Sequence, residues 1–465
     1  MERVVIIGGG PGGYESALVA AQLGATVTVV DSDGLGGSAV VTDCVPSKTL
    51  IATAELMSDL SGAPELGVAF EDAAGDAATR VVVDLARVNR RVKQLAADQS
   101  ADIGRRLERE DVTVVTGRGR LDGPSRVVVD LPDGGSQTLE ADTVLVATGA
   151  APRVLPSAQP DGERILTWEQ VYDIPEVPTR LIVVGSGVTG AEFASAYLSL
   201  GIDVTLVSSR DRVLPGEDAD AAQVLESVLE RRGMTVLGKS RMESVTRDGD
   251  TVTVTLTDGR TVEGSHCLLA LGSVPKTAGL GLEEAGVELD DAGFVVVDRV
   301  SRTAVRGVYA AGDCTGVLML ASVAAMQGRI AMWHALGDAV APLDLKQVAS
   351  NVFTSPEIAT VGWSQNAVDE GGIAAETVML TLAGNPRAKM QGVRDGFVKL
   401  FCRPGTGIVV GGVVVGPHAS ELIHPLSIAV SQSLTADALA QAFTVYPSLS
   451  GSIAEAARRM HHRPT

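Results

Sequence analysis

Short runs of apolar residues alternate along this chain with alanine-rich or amphipathic stretches, a pattern that predicts strands alternating with helices. Near the start, the apolar run 4–7 is followed by a glycine turn, an alanine-rich stretch that ends at Gly24, and a second apolar run over residues 26–30. The same order returns over residues 181–207. The repeat predicts an α/β protein with two Rossmann-like domains, each of which would bind one dinucleotide.

The first glycine turn has the spacing of a dinucleotide-binding loop, because Gly8, Gly10 and Gly13 follow a strand and open a helix. In such a loop the first glycine makes the tight turn, the second lets the backbone approach a pyrophosphate, and the third lets the helix pack on the strand. Asp31 ends the next strand, where a carboxylate accepts hydrogen bonds from ribose hydroxyl groups. The residues predicted to contact the first dinucleotide are Gly8, Gly10, Pro11, Gly12, Gly13 and Asp31.

The second glycine turn repeats this pattern with Gly185, Gly187, Val188 and Gly190, but the strand after it does not end in an acid. It is followed by Ser208-Ser209-Arg210-Asp211-Arg212. Hydroxyl and guanidinium groups at this place favour the 2′-phosphate of NADPH, which a carboxylate would repel. We therefore predict NADPH, with NADH also tolerated, as the second dinucleotide. The alternative is that the pair Arg210 and Arg212 lies on the surface without a ligand.

Composition narrows the range of partners. The 465 residues carry a formal net charge of −19, which disfavours binding to nucleic acid and to anionic membranes. The four cysteines are far apart and form no CxxC pair, so neither a disulfide framework nor a metal site is expected. The first residues do not resemble a secretory leader and no apolar run is long enough to span a membrane, so we expect a soluble cytoplasmic protein.

Smaller elements are predicted between and after the two repeats. The apolar runs 112–115, 127–131 and 138–139, separated by glycine-containing turns, predict an antiparallel meander. A polar stretch from about residue 85 to 110 predicts a helix, and residues 421–433 predict one helix in the C-terminal part.

The run 36–48, which begins Gly36-Gly37-Ser38 and ends Cys44-Val45-Pro46-Ser47-Lys48, resembles the active-site helix of the flavoprotein disulfide reductases. These pyridine nucleotide-disulfide oxidoreductases include dihydrolipoamide dehydrogenase and glutathione reductase. In that family two cysteines five positions apart form a redox disulfide beside the flavin of FAD. Here the partner position of Cys44 is Ala39, so that disulfide cannot form.

The resemblance covers nearly the whole chain and implies further cofactor contacts. It includes a strand that ends in Thr148-Gly149, a second flavin motif that ends in Gly312-Asp313, and a helix that opens after Leu320. The residues that it adds at the cofactors are Gly37, Ser38, Cys44, Lys48, Thr148, Gly149, Glu192, Gly272, Gly312, Asp313, Leu320 and Ala321.

The resemblance also implies a domain organisation. The FAD-binding domain would be discontinuous, over residues 1–150 and 272–346, with the NAD(P)H-binding domain, residues 151–271, inserted into it. Residues 347–465 would form an α+β dimerisation domain. A homodimer is expected, and the association of dimers into a higher oligomer is left open.

Two residues match the reductive half of the family's active site. Lys48 corresponds to the lysine beside flavin N5, and Glu192 corresponds to its ion-pair partner near the nicotinamide. The alternative for both is an exposed charge on a helix. Tyr446 and Gly451 stand where the family has the histidine and glutamate of its base pair. Cys44 would either donate charge to the flavin as a thiolate or only pack as a small apolar side chain.

These departures predict an FAD-dependent enzyme that is not a disulfide reductase. It would pass two electrons from NADPH or NADH through FAD to a quinone-type acceptor by a ping-pong route, similar to the NAD(P)H quinone reductases of that family. The catalytic residues would be Lys48, Glu192 and Cys44. The alternatives are a diaphorase or transhydrogenase, and a non-catalytic flavin-binding redox sensor or assembly subunit.

Overall fold

The first apolar runs form a five-stranded parallel sheet in the computed structural model, which describes residues 1–68 and 81–461. All four strand pairings in this sheet are parallel. The strands in spatial order are Val308–Ala310, Thr143–Val146, Arg3–Ile7, Thr26–Asp31 and Thr113–Thr116. Alternate residues of Arg3–Ile7 enter two separate apolar clusters, so both faces of the sheet are buried, as is usual for parallel strands.

This sheet belongs to the first of two units, which consists of Met1–Thr49, Asn89–Arg153 and Leu271–Asp344. The helix Pro11–Gln22 begins with proline at its first position and ends before Gly24, whose φ of +83° does not continue a helix. It packs closely on the helix Ala321–Ala335, because a Cβ at Gly328 would lie 2.3 Å from the carbonyl oxygen of Gly12.

The predicted antiparallel meander is wrong in one of its strands. Thr113–Thr116 pairs in parallel with Thr26–Asp31 and so extends the first sheet. The antiparallel sheet consists instead of Arg118–Leu121, Arg126–Asp130 and Ser136–Glu140. An apolar run indicates a strand, but the tertiary structure decides which neighbour supplies its hydrogen bonds.

The second unit consists of Leu50–Val88, Val154–Ala270 and Leu345–Thr465. Its first sheet is again parallel and five-stranded. The strands in spatial order are Thr235–Leu237, Asp203–Val207, Arg180–Val184, His266–Leu269 and Ile165–Thr167. The helix Val188–Ser199 connects the two strands that the sequence repeat predicts.

The C-terminal part of the second unit has a five-stranded antiparallel sheet with its own apolar core. Its strands in spatial order are Ala349–Val352, Glu357–Gly362, Val409–Gly416, Phe397–Cys402 and Glu376–Thr381. The prediction of one helix over 421–433 is wrong, because the structure has two helices, Ala419–Leu422 and His424–Ser431. Pro425 lies in the first turn of the second helix, where its missing N–H costs least.

The structure contains further elements. The remaining α-helices are Gly37–Val41, Cys44–Gly62, Leu85–Arg109, Ala219–Arg231, Gln365–Asp369, Pro386–Met390, Ala436–Gln441 and Gly451–Arg459. The remaining strands are Ala150–Pro152, Met242–Asp248, Thr251–Leu256, Thr261–Gly264 and Ser273–Pro275. Among the helices that the structure describes, none combines the length and the apolar character needed to cross a membrane.

The predicted fold class is confirmed: two Rossmann-like parallel sheets are followed by a C-terminal α+β domain. The domain boundaries drawn from the sequence remain predictions. The predicted first and last domains include residues 69–80 and 462–465, which lie outside the described residues.

Candidate active site

A cleft in the first unit is lined in part by segments that directly follow its parallel strands. Ligands of parallel α/β sheets bind at this carboxyl edge. The glycine turn follows Arg3–Ile7, Thr148 and Gly149 follow Thr143–Val146, and Gly312 follows Val308–Ala310. The predicted cofactor residues that line the cleft are Gly8, Gly10, Pro11, Gly12, Asp31, Gly37, Ser38, Cys44, Thr148, Gly149, Gly312, Asp313 and Ala321.

The glycine turn leaves space for a phosphate group. Gly8 has a φ of +107°, and a Cβ there would lie 2.3 Å from the carbonyl oxygen of Ala147. Gly13 packs the helix on the turn, since its Cβ would lie 1.9 Å from the carbonyl oxygen of Gly8. At Gly10, by contrast, the nearest atom to a Cβ is Gly37 Cα at 3.9 Å. No side chain caps this helix start, so its N–H groups suit the pyrophosphate of FAD.

Asp31 lies at the cleft, but its carboxylate already accepts three backbone hydrogen bonds. Oδ2 accepts from the N–H of Gly9 at 2.6 Å, and Oδ1 accepts from Asp33 at 2.8 Å and Gly34 at 2.6 Å. A carboxylate has about four acceptor positions, so room remains for one ribose hydroxyl. Asp31 therefore holds the loop in shape as well as lining the cleft.

The opposite part of the cleft contains Asp313, which follows the strand Val308–Ala310. Burial raises the pKa of the Asp313 carboxyl group above its usual range. The helix Ala321–Ala335 begins after Leu320, which has extended backbone angles and is not a lining residue. Gln327 of this helix accepts a hydrogen bond from the N–H of Gly312 at 2.9 Å and fixes the turn beside Asp313.

Ala39 and Cys44 line the same cleft, so only one of the two positions that would form the family's disulfide carries sulfur. Cys44 is partly buried at the start of the helix Cys44–Gly62. Lys48 is partly buried one turn further along that helix, on the same side as Cys44, and is not a lining residue.

Another cysteine, Cys314, follows Asp313 directly but is buried and not a lining residue. Burial raises the pKa of its thiol to about 11. Its Sγ lies 3.4 Å from the carbonyl oxygen of Ala311. A thiol with this pKa supplies almost no thiolate near neutral pH, so Cys314 does not replace the missing sulfur at position 39.

The second glycine turn has the same geometry as the first. Gly185 has a φ of +114°, and its Cβ would lie 2.1 Å from the carbonyl oxygen of Ala270. A Cβ at Gly190 would lie 1.9 Å from the carbonyl oxygen of Gly185, whereas one at Gly187 would meet nothing within 4 Å. Val188, the first helical residue, is 43% exposed. This turn therefore also suits a dinucleotide.

Glu192 is buried on the helix Val188–Ser199, with only 4% of its surface exposed. Its Oε1 accepts a hydrogen bond from the backbone N–H of Phe353 at 2.8 Å. One turn later, Ser195 Oγ accepts a bond from the N–H of Ser355 at 3.0 Å. Glu192 is therefore not an exposed surface charge, and part of its hydrogen-bonding capacity fixes the segment that begins at Phe353.

The three residues predicted to recognise a 2′-phosphate differ in how far they are exposed to solvent. Ser208 is fully buried, and its hydroxyl lies 2.7 Å from that of Ser186 and accepts from the N–H of Arg210 at 3.0 Å. Ser209 and Arg210 are exposed. Ser208 therefore shapes the loop, and the exposed hydroxyl and guanidinium groups are the ones available to a ligand.

Sequence reasoning missed Lys239, which the fold brings beside Arg210. Its N–H donates to the carbonyl oxygen of Arg210 at 2.7 Å, and its side chain is exposed. The contact follows from the parallel pairing of Asp203–Val207 with Thr235–Leu237. Nothing local in the sequence indicates this pairing.

The cleft of the first unit also contains residues that the sequence did not single out, among them Asp33, Asp43, Lys276 and Met319. Gly272, which was predicted to contact a cofactor, is not a lining residue. It has a φ of +85°, and its carbonyl oxygen accepts from the N–H of Arg153 at 2.9 Å. Over residues 1–68 and 81–461, no group of three or more His, Cys, Asp or Glu could hold a metal ion.

Comparison with known proteins assigns the family. The profile of the pyridine nucleotide-disulphide oxidoreductases matches residues 2–328, and the profile of that family's dimerisation domain matches residues 348–457. This chain belongs to the pyridine nucleotide-disulphide oxidoreductase family. The predicted family is therefore confirmed, and so are FAD and NAD(P)H, which the family uses, and a homodimer, which the dimerisation domain supports.

Individual members of the family resemble this chain over almost its full length. A protein of Mycobacterium tuberculosis named NAD(P)H dehydrogenase (quinone) is 57% identical over 469 residues, covering 98% of this chain and 94% of that protein. The crystal structure of LpdA from M. tuberculosis matches with a TM-score of 0.94 at 56% identity, covering 99% of this chain and 100% of that chain. A dihydrolipoyl dehydrogenase of Chlorobaculum tepidum is 35% identical, covering 98% of this chain and 96% of that protein.

Proposed function

We propose that this protein is an FAD-dependent NAD(P)H oxidoreductase that gives two electrons to a quinone-type acceptor without a dithiol. The observation that carries the proposal is that Ala39 and Cys44 both line the cleft, and that only Cys44 has a thiol group. Exchange with a disulfide substrate needs a second thiol to release the mixed disulfide. The 57% identical protein of M. tuberculosis, named NAD(P)H dehydrogenase (quinone), supports a quinone as the acceptor.

The residues of the cleft have the right chemistry for FAD. The uncapped start of the helix Pro11–Gln22 would bind the pyrophosphate, and Asp31 and Asp313 would accept hydrogen bonds from hydroxyl groups. When bound, FAD supplies the redox chemistry by taking a hydride from NAD(P)H and giving two electrons to the acceptor. We assign to Lys48 the positive charge that favours electron density on the flavin. Cys44 is either a charge donor to the ring or a packing residue.

Glu192 is assigned to the nicotinamide side. Its burial and its bond to the Phe353 N–H fix the carboxylate on the helix that follows the second glycine turn. A fixed carboxylate there would orient the nicotinamide ring through hydrogen bonds and electrostatics. For the nucleotide itself we propose NADPH ahead of NADH, because Ser209, Arg210 and Lys239 are each exposed and the backbone of Lys239 lies beside that of Arg210.

The order of events is proposed to be ping-pong. The quinone would enter the site that NADP⁺ has left. Without a dithiol to carry electrons away from the flavin, the acceptor would have to reach the flavin itself. Tyr446 is 82% exposed in the matched dimerisation region, and we propose that it forms a wall of the acceptor site in the partner subunit. The cytoplasmic location expected from the sequence also belongs to this proposal, and the chemistry does not depend on it.

Anaerobic stopped-flow absorbance tests the proposal. NADPH is expected to bleach the flavin absorbance quickly, and a later addition of quinone is expected to restore it. Slow bleaching would favour the alternative of a redox sensor or assembly subunit, while recovery with dyes or NADP⁺ analogues but not with quinones would favour a diaphorase or transhydrogenase. An unchanged quinone KM in Tyr446→Ala would remove that residue from the acceptor site.

A further inference from the structure

The cleft of the first unit is acidic before any cofactor enters it. Four carboxylates are among its lining residues: Asp31, Asp33, Asp43 and Asp313. The pyrophosphate of FAD would add two more negative charges. Lys276 is the only cation among the described residues that line this cleft. Binding of an anion to a cleft lined in this way depends strongly on the positive charges that lie close to it.

Lys276 is held rigidly at the edge of the cleft. It follows the strand Ser273–Pro275, which pairs with Ala150–Pro152. Its N–H donates to the carbonyl oxygen of Gly149 at 3.0 Å, and its carbonyl oxygen accepts from the hydroxyl of Thr148 at 2.7 Å. Both Thr148 and Gly149 line the cleft. The side chain therefore starts from a backbone position fixed on both sides by the cleft wall.

The ammonium group of Lys276 lies 3.6 Å from Oδ2 of Asp33. Asp33 is in the loop held by Asp31, which accepts the Asp33 N–H at 2.8 Å. The Lys276 and Asp33 side chains are 42% and 64% exposed, and an ion pair this exposed contributes at most about 1 kcal/mol. So weak a contact would be exchanged at little cost for one with a phosphate oxygen.

We propose that Lys276 is an FAD-binding residue, whose ammonium group supplies positive charge for the phosphates and leaves its competing partner Asp33 when FAD binds. The inference rests on the FAD site of the proposed function and is independent of the acceptor. The surroundings of Lys276 are assembled from segments far apart in the sequence, so no motif marks it.

The test is the affinity of the full-length protein for FAD, measured by equilibrium ultrafiltration over a series of KCl concentrations. Lys276→Met is expected to raise the Kd about tenfold, as for the loss of one hydrogen bond to a charged group, and to weaken the dependence on salt. Lys276→Arg is expected to stay within about threefold of wild type, since the charge is retained. Asp33→Asn is expected to bind FAD at least as tightly as wild type, because a competing negative charge is removed.

Lys389→Met is the matched control, because Lys389 is an exposed lysine of the second unit and its loss changes net charge equally. Urea midpoints of all variants without FAD show whether each one folds. An unchanged Kd and salt dependence in a folded Lys276→Met would overturn the proposal. A loss of affinity in Asp33→Asn equal to that in Lys276→Met would also overturn it, because FAD binding would then require the intact ion pair and not the ammonium group that it releases. Because FAD binding is read without an acceptor, a failed quinone assay leaves this result intact.

Discussion

The ammonium group of Lys399 donates hydrogen bonds to both carboxylate oxygens of Asp218, at 2.9 and 2.8 Å, and the two side chains are only 2% and 3% exposed. Asp220 accepts a third bond at 2.6 Å. Asp218 also caps the helix Ala219–Arg231 by accepting from the N–H groups of Asp220 and Ala221. The ion pair thus joins this helix to the strand Phe397–Cys402 within the second unit.

Removal of this lysine is expected to be costly. Lys399→Met leaves the buried Asp218 carboxylate without its cation, which should lower the free energy of unfolding by about 3–5 kcal/mol. Arg394→Met is the control, because Arg394 and Glu65 form a 3.0 Å pair that is 76% and 59% exposed and should contribute less than about 1 kcal/mol. Urea midpoints at matched protein and FAD concentrations measure both. Equal shifts in the two variants would show that burial of the pair has no energetic effect.

Substitutions at two glycines of the first turn are expected to have different effects, one on folding and one on FAD binding. In Gly13→Ala the new Cβ would meet the Gly8 carbonyl oxygen at 1.9 Å, so the turn cannot form and the protein should not fold. Gly10→Ala leaves 3.9 Å between the new Cβ and its nearest neighbour and should fold, but the methyl group would project into the space proposed for a phosphate of FAD. We expect FAD affinity to fall roughly tenfold or more, as when one hydrogen bond to a charged group is lost. Circular dichroism and FAD binding distinguish the two variants. A Gly10→Ala protein with wild-type affinity for FAD would contradict the proposal that this glycine turn binds the pyrophosphate.

The stability of the second unit should depend on pH through His266. Burial, and then the nearby positive charge of Arg164, lower the pKa of this imidazole from 6.5 to about 4. Between these values the unfolded chain binds a proton that the folded chain does not, so stability falls as the pH is lowered from 6.5 to 4. In His266→Gln the urea midpoint should change less over this range than in wild type. Identical pH profiles would show that His266 does not contribute.

Nucleotide preference tests the cations at the end of the second repeat. Arg210→Ala should lower kcat/KM for NADPH by roughly tenfold and leave that for NADH nearly unchanged, because only NADPH carries the 2′-phosphate. Arg180→Ala is the control, since Arg180 lies at the amino end of its strand, where it pairs with Asp203 at 2.7 Å. If the ratio of kcat/KM for NADPH to that for NADH is the same in Arg210→Ala as in wild type, Arg210 is a surface residue without a ligand.

Local patterns in the sequence were sufficient for the two strand–turn–helix–strand units that begin at Arg3 and Arg180, with their glycine turns. Strand, turn and helix follow one another directly there, and each glycine has a steric reason that can be read from its position, as at Gly8 and Gly13. Pairing between distant segments was less predictable. Thr113–Thr116 has the pattern of a strand, but the choice between a parallel and an antiparallel neighbour depends on the fold.

The same limit applies to the site. Cys44 and Asp313 lie in recognisable sequence motifs. Lys276 and Lys239 are placed at the proposed sites only by neighbours more than twenty residues away in the chain. The burial of Ser208 against Ser186 was equally invisible, because a serine after a strand has the same sequence pattern whether its hydroxyl faces a ligand or the protein interior.

The central claim, that electrons pass from FAD to the acceptor without a dithiol, is tested most directly by one steady-state comparison. The NADPH-dependent reduction of a quinone, lipoamide and glutathione disulfide is measured with wild type and Cys44→Ser at equal FAD content. The account predicts quinone turnover in both proteins at rates within a few-fold of each other, and negligible turnover of either disulfide. Reduction of lipoamide or glutathione disulfide as fast as the quinone, with loss of that activity in Cys44→Ser, would contradict it.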